Sequence, residues 1–404
     1  MLRALNNRPF AFLWSGQTIS RLGDSLYRIA LSWWVLEKTG SALAMGTVNI
    51  VSMVPMLVFM LFGGVLVDRL PRSWVMFCSD LLRGFLVAGV AVLAALNLLE
   101  VWHIFIISAL FGIVSSFFEP AYIAVFPEII QADSLAGANS LTTLSREFTG
   151  IIGPSLGALL VATGGTPLTF GLDAASFFIS ALALIPLLKH DQVKAIEPKQ
   201  LQSSAIWADL LVGFKTVAAS PWLWVTISVA ALANMVEGGA ISTSLPFLIS
   251  DTWKMDVKSL GYVYSALSIG AVVCALIMGN ARKLHKRGYI AYASWFSIGA
   301  MILLLGIQKN LWVSLAAAAM LGAAATSFGL IWTSSLQEIV PSDLLGRVSS
   351  IDYLGSYTLM PLGYALAGWA TDKLGAPFVF IVAGAVVSAL AVLALLHPAI
   401  RRMD

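Results

Sequence analysis

Apolar residues in this chain come in long runs separated by short polar breaks. Runs at 10–36, 42–67, 73–97, 102–126, 138–163, 168–188, 221–249, 259–279, 288–307, 312–336, 346–370 and 377–397 follow one another along the sequence. Each is about the length a helix needs to cross roughly 30 Å of hydrocarbon. Twelve membrane-spanning helices are predicted, so the fold class is all-α integral membrane. One break is long: "KHDQVKAIEPKQLQSSAIWADLLVGFKTVAAS", residues 189–220. Its second half sets Ile206, Trp207, Leu210, Leu211 and Phe214 at helical spacing. That pattern reads as an amphipathic helix lying on the membrane surface, with a plain tether as the other reading.

Composition strengthens this picture. Hydrophobic residues make up 59% of the 404 positions, charged residues 11%, and the mean hydropathy is +0.87. A soluble globular chain carries roughly 25% charged residues. The net charge of +3 gives no reason to expect a nucleic-acid partner. Cys78 and Cys274 both lie in apolar segments and read as small hydrophobes rather than a disulfide or metal site. "MLRALNNRPF" lacks the features of a cleavable signal peptide, so the first span is expected to act as the insertion signal.

The placement of charge predicts an orientation. With the N-terminus inside, the inner segments hold 15 Lys and Arg residues (Arg3, Arg8, Arg69, Arg72, Lys189, Lys194, Lys199, Lys215, Arg282, Lys283, Lys286, Arg287, Arg347, Arg401, Arg402). The outer segments hold 5: Lys38, Lys254, Lys258, Lys309 and Lys373. This positive-inside bias puts both termini in the cytoplasm.

The two halves of the chain repeat each other. "PEIIQADSLAGANS" (127–140) aligns with "QEIVPSDLLGRVSS" (337–350) at an offset of 210. At the same offset Leu13-Trp14 meets Leu223-Trp224, Asp24 meets Asn234, and Gly153 meets Gly363. The expected organisation is a six-helix bundle over 1–188, a cytoplasmic linker over 189–220, and a second six-helix bundle over 221–404. Repeats in the same orientation imply a shared cavity near the bilayer midplane.

The loop after the second span reads "GGVLVDRLPRSW". Gly64, Asp68, Arg69 and Arg72 match the pattern G-x-x-x-D-R-x-x-R-R of the major facilitator superfamily, with Ser73 in place of the last arginine. A degenerate copy, "GNARKLHKRG" (279–288), puts Lys283 at the aspartate's place. The stretches "EKTGSALAMG", "EIVPSDLLGRVSS" and "MPLGYALAGWATDKLG" are similar to those of bacterial exporters of the macrolide-efflux and enterobactin-exporter type. The resemblance covers the whole chain. It implies two pseudo-symmetric bundles working as a secondary transporter in the bacterial cytoplasmic (inner) membrane. It also implies that Asp68 lies near the start of the eleventh span, where a helix N-terminus favours a carboxylate. Arg69 and Arg72 would then reach Glu128 or Asp133, forming a gate that locks one state; positive-inside topology alone explains the arginines but not Asp68. In span five "GIIGPSLGA", with Gly150, Gly153, Pro154 and Gly157, resembles the antiporter motif of the superfamily. Here Thr149 stands at the motif's first glycine and Ala158 at its last. Close helix packing explains the same residues equally well.

The intramembrane charges are the candidate chemistry. Gln17, Arg21, Asp24 and Arg28 fall at steps of four, three and four and form one stripe on the first helix. An ionised group deep in the bilayer costs about 2.5–3.5 kcal/mol or more. The stripe must therefore face a wet cavity or pair internally. Asp24 is read either as a counter-ion to an arginine or as a cavity residue for protons or cationic substrate. Glu237, near the middle of span seven with Asn234 one turn away, has no basic neighbour in sequence and is the better candidate for proton coupling. Pairing with an arginine of span one, or another structural role, is the alternative. Asp80 and Arg83 are expected to satisfy each other or to join the loop cluster. Glu119, Arg146, Glu147 and Asp352 are candidates for an inner gate, and Asp173 for an outer one. Trp33, Trp34, Trp102 and Trp312 sit at span ends, as an interfacial belt would place them.

No P-loop occurs, and His103, His190, His285 and His397 are isolated. The sequence is therefore not that of an ATP-driven pump, a metal site or an enzyme, and no cofactor is expected. The reading is a monomeric exporter of an amphipathic small molecule, drug-like or siderophore-like, in exchange for protons, in contact with membrane lipids. Uptake or flipping of a lipid-like solute, uniport without protons, and a non-transporting receptor are the alternatives.

Overall fold

The computed structural model describes residues 2–67, 70–130, 132–191, 213–279, 286–341 and 344–401, with the side chains of 2–3, 61–67, 127, 132–133, 136 and 189–191 also outside the description. The expected linker helix lies largely outside the described residues; 213–219 is helical, with Phe214 exposed.

The architecture is all-helical. In chain order the spans are α1 (Arg8–Thr39), α2 (Ala42–Val67), α3 (Arg72–Ala95) and α4 (Val101–Ile129). The segment Ala132–Asp191 follows as one run whose backbone leaves helical geometry at Gly165, with φ +77°. Its 52-residue membrane-crossing stretch, Gly137–Leu188, would measure roughly 78 Å as a single helix, far more than one crossing needs. It is therefore two spans, α5 (132–164) and α6 (166–191), divided at the one residue type that accepts this φ without strain. The second half holds α7 (Pro221–Gly238, continuing to Thr252), α8 (Val257–Gly279), α9 (Arg287–Ile307) and α10 (Leu311–Ile339). It ends with α11 (Leu345–Tyr357 and Met360–Leu374) and α12 (Ala376–Leu395).

Nine described helices are long and apolar enough to cross a membrane by length and composition. Three further spans complete twelve. One comes from the division at Gly165. A second is α1, whose charges disqualify it on composition alone. The third is α11, broken at Thr358–Leu359 ahead of Pro361 into pieces of 13 and 15 residues. Outward faces are apolar, as at Phe85, Ile123, Leu276 and Ile277, each exposed by 65% or more. A hydrocarbon solvent makes such exposure the favoured state.

Chain ends of the helices are set locally. Asn7 caps α1 by accepting from the Phe10 amide at 3.2 Å, Pro9 occupies the first turn, and Gly40 ends the helix in the left-handed conformation. Asn310 caps α10 by accepting from the amides of Trp312 and Val313.

The chain forms two compact units. The first contains residues 1–40, 47–198 and 256–265, and the second 41–46, 199–255 and 266–404. The first turn of α2 belongs with α11 because the Asp372 carboxylate accepts from Ser41 Oγ (2.6 Å), the Ala42 amide (2.6 Å) and the Leu43 amide (3.2 Å). The start of α8 belongs with α5, where Ser265 and Ser155 hydroxyls lie 2.9 Å apart.

In the first unit α1 lies along α5 and α6. Small residues allow this approach: a Cβ at Gly153 would fall 2.5 Å from the Ser25 Cβ, and one at Gly157 3.1 Å from the Leu26 Cα. In the second unit α7 meets α11 the same way. A Cβ at Gly363 would stand 1.9 Å from the Met235 carbonyl oxygen. Gly363→Ala must push the two helices apart and is expected to cost about 1–3 kcal/mol, read as a lower melting temperature of the purified protein; an unchanged melt would contradict this packing.

Candidate functional site

Both units bury acids within their helices. In the first, Asp80 of α3 is fully buried and pairs with Arg83 one turn on. Its other oxygen accepts from Gln17 Nε2 of α1 (3.1 Å) and from Ser180 Oγ of α6 (2.7 Å). Gln17 also donates to Ser180 at 2.8 Å. The Arg83 guanidinium sits over the rings of Phe118 (4.1 Å) and Phe177 (4.8 Å). Three helices thus meet on one neutralised pair inside an aromatic collar.

The stripe of α1 divides around this network. Gln17, 4% exposed, is turned into the bundle as a ligand of Asp80. Arg21 lies 5.1 Å from the Tyr122 ring centre, and its buried Nη1 has no hydrogen-bond partner among the described residues. Arg28 is exposed and Asp24 half-buried. Among the described residues neither arginine closes an ion pair with Asp24. Asp173 of α6 is fully buried; its Oδ1 is 3.3 Å from Ser176 Oγ, and its Oδ2 has no partner among the described residues. Gly23 makes room for this corner, since a Cβ there would lie 2.4 Å from Asp173 Oδ1.

The loop residues are partly in view. Arg72 Nη1 donates to Glu128 Oε1 at 2.7 Å and to the Ala124 carbonyl at 2.8 Å. Asp68 and Arg69 lie outside the described residues, as do the surroundings of Gly64 and the side chain of Asp133. In α5, Gly153, Pro154 and Gly157 are buried and Gly150 is half-buried. Gly153 and Gly157 are the α1 contact surface, and the Pro154 carbonyl lies against Gly261 of α8.

The second unit encloses a cavity of about 420 Å³ among α7, α9, α10 and α11. Glu237 and Asn234 line it from one face of α7. Asn234 Nδ2 donates to the Ser356 carbonyl of α11 at 3.1 Å. Directly after Glu237 the helix widens into a π turn over Gly239–Ser244, a feature that recurs at functional sites. Across the cavity, Asp352 of α11 accepts from Trp332 Nε1 (2.9 Å) and from Ser356 Oγ (3.3 Å). The apolar wall is a ladder of rings: Trp295 stacks on Phe328 at 4.1 Å and 18°, and Phe328 lies parallel to Trp332 at 6.3 Å. Among the described residues Glu237 has no hydrogen-bond or ion-pair partner, and no Lys, Arg or His lines the cavity.

A model of the transmembrane secretion effectors, a branch of the major facilitator superfamily, matches residues 2–404. The chain belongs to that family. The chain is a multi-pass membrane protein of a transporter family, not an enzyme. It is 23% identical to macrolide efflux protein A of Streptococcus pyogenes over 401 residues, 98% of this chain and 97% of that one. It is 28% identical to the multidrug efflux pump Tap of Mycolicibacterium fortuitum, covering 95% and 94% of the two chains. The enterobactin exporter EntS of Escherichia coli is 27% identical, with 91% and 86% covered. Among solved structures, a POT family transporter superposes with a TM-score of 0.75 at 12% identity over 96% of both chains, a likeness of fold. With its family and relatives taken together, this chain is an efflux transporter of the major facilitator type.

Sequence reasoning found Glu237 and Asn234 but not what surrounds them. Asp352 read as a gate residue, yet it lines the same cavity. Trp295, Phe328 and Trp332 carried one usable signal, the four-residue spacing of the last two on a single helix face.

Proposed function

We propose that this protein exports an amphipathic small molecule from the bacterial cytoplasm in exchange for protons, by alternating access of its two halves. The observation that carries the reading is the second-unit cavity, where Glu237 has no hydrogen-bond or ion-pair partner among the described residues and lies beside stacked aromatic rings. A proton carrier has to gain and lose its proton without breaking a permanent ion pair, and it has to be reachable. Glu237 satisfies both conditions. Asp80 does not, because Arg83 and two neutral donors hold it. Asp24 and the arginines beside it serve as the polar lining of the first half. The Arg72–Glu128 bridge acts with Asp68 as a cytoplasmic latch, closed in one state and broken in the other. The chain works as a monomer in the inner membrane with both termini in the cytoplasm, and the drug-like cargo extends the relatives' printed activities to this chain.

Energetically the exchange is sufficient. One proton moving inward gains about 2.3 kcal/mol per 100 mV. Everted vesicles energised by respiration should accumulate a fluorescent amphipath such as a bisbenzimide dye in proportion to the amount of this protein. A protonophore should release it. Accumulation that persists unchanged after the proton gradient collapses would contradict the proposal.

A further inference from the structure

Arg72 begins α3, and roughly 33 Å further along that helix, at Ala94, the first unit opens into another cavity, of about 680 Å³. It lies where α1, α3 and α5 end, at the α5–α6 corner and beside the first turn of α8. Apolar stretches stop here, and Trp33 and Trp34 line the opening. Indoles collect at this depth, where hydrocarbon gives way to headgroups and water. The cavity therefore stands at the bilayer boundary.

Its charge is mixed. Glu37 and Asp256 bring two carboxylates and Lys258 one ammonium, all three exposed. Trp33 Nε1 donates to Glu37 Oε1 at 2.8 Å and orients that carboxylate, whose other oxygen has no partner among the described residues. Asp256 Oδ1 accepts from the Ser259 amide at 3.4 Å in the first turn of α8. Lys258 closes no ion pair among the described residues. The carbonyl ends of α1, α3 and α5 add partial negative charge at the same place.

A simple cation here meets Lys258, and a simple anion meets both carboxylates. A ligand with both signs side by side avoids either conflict. At a bilayer boundary that description fits a phospholipid whose phosphate adjoins an ammonium, and the membrane supplies it at high local concentration. A primary ammonium donates charge-assisted N–H bonds to carboxylates; a choline head has no N–H to give. Trp34 and Asn97 contribute neutral donors to the same opening.

We propose that this cavity binds the headgroup of phosphatidylethanolamine, its phosphate on Lys258 and its ammonium between Glu37 and Asp256. On the orientation proposed above the lipid comes from the outer leaflet. Binding itself is independent of the exporter reading and is measured without transport.

The test uses the full-length protein, stripped of lipid in detergent and titrated by native mass spectrometry. The probes are phosphatidylethanolamine, phosphatidylcholine and phosphatidylglycerol with identical acyl chains. One ethanolamine lipid per chain should be retained at least tenfold more tightly than either of the others. Lys258→Gln and Glu37→Gln should each weaken it severalfold. Glu37→Gln combined with Asp256→Asn, which keeps a capping side chain for α8, should bring it to the level of phosphatidylcholine. Lys38→Gln removes a charge at the same end of α1 but outside the cavity, where Lys38 pairs with Glu100, and should leave the preference unchanged. Equal retention of the three lipids, or tighter retention of the choline or glycerol lipid, would overturn the assignment on the parent protein alone. An ethanolamine preference that persists in both Lys258→Gln and the double acid variant would overturn it too.

Discussion

Replacing Arg83 with alanine is expected to destabilise the protein by about 3–5 kcal/mol, the usual consequence of stranding one member of a buried ion pair. Asp80 is fully buried and Arg83 nearly so, which would strand the carboxylate away from bulk solvent. Gln17 and Ser180 would remain on one oxygen, but both are neutral. The variant also loses the cation's contacts with Phe118 and Phe177. Removing the charge on both sides should undo much of the damage. Arg83→Ala combined with Asp80→Asn keeps an acceptor and a donor for Gln17 and Ser180 and leaves no bare carboxylate. The check is thermal unfolding of the detergent-solubilised proteins. The single variant should melt well below the parent and the double variant should recover more than half of the gap. A single variant that melts with the parent would show that the network does not hold α1, α3 and α6 together.

The second large effect concerns Glu237. Glutamine has nearly the same shape and cannot exchange a proton, so Glu237→Gln should fold normally and lose coupling. Removing one coupled proton removes about 2.3 kcal/mol of driving force per 100 mV, or roughly fifty-fold in the steady-state concentration ratio. Exchange of labelled for unlabelled substrate down no gradient needs no net proton movement and should survive. Loss of the gradient together with retained exchange is the expected pattern. Loss of both with a normal melt would make Glu237 a residue needed for the movement itself.

Much of the fold was legible because a hydrocarbon solvent imposes length. Runs of apolar residues named the spans, including the division of 132–191, where Gly165 followed by Pro167 separates two segments each long enough to cross. The charges of α1 made it the least typical span, yet its continuation past them was plain from Ile29 to Leu36. The 210-residue offset paired Gly153 with Gly363, and both prove to be positions where a helix backbone or side chain comes too close for a Cβ. Site chemistry was legible only along single helices. Asp80 and Arg83 are three residues apart and found each other. Gln17 shares a stripe with Asp24, but its partners come from α3 and α6, and nothing in its own helix marks that side as the packed one. The same limit applies to Asp352 and Trp332, which are twenty residues apart on different helices, and to Trp295 with Phe328. Helical periodicity orders residues on one rod; it does not say which rods are neighbours or how each is turned.

On the proposed reading Glu237, without a hydrogen-bond or ion-pair partner among the described residues, trades protons against cargo. Proteoliposomes loaded with a pH-sensitive dye test it most directly, with a substrate gradient as the sole driving force. Substrate leaving the lumen should draw protons in and acidify it with the parent protein, and should leave lumen pH unchanged with Glu237→Gln while labelled substrate still exchanges. Equal acidification by the two proteins would contradict the account.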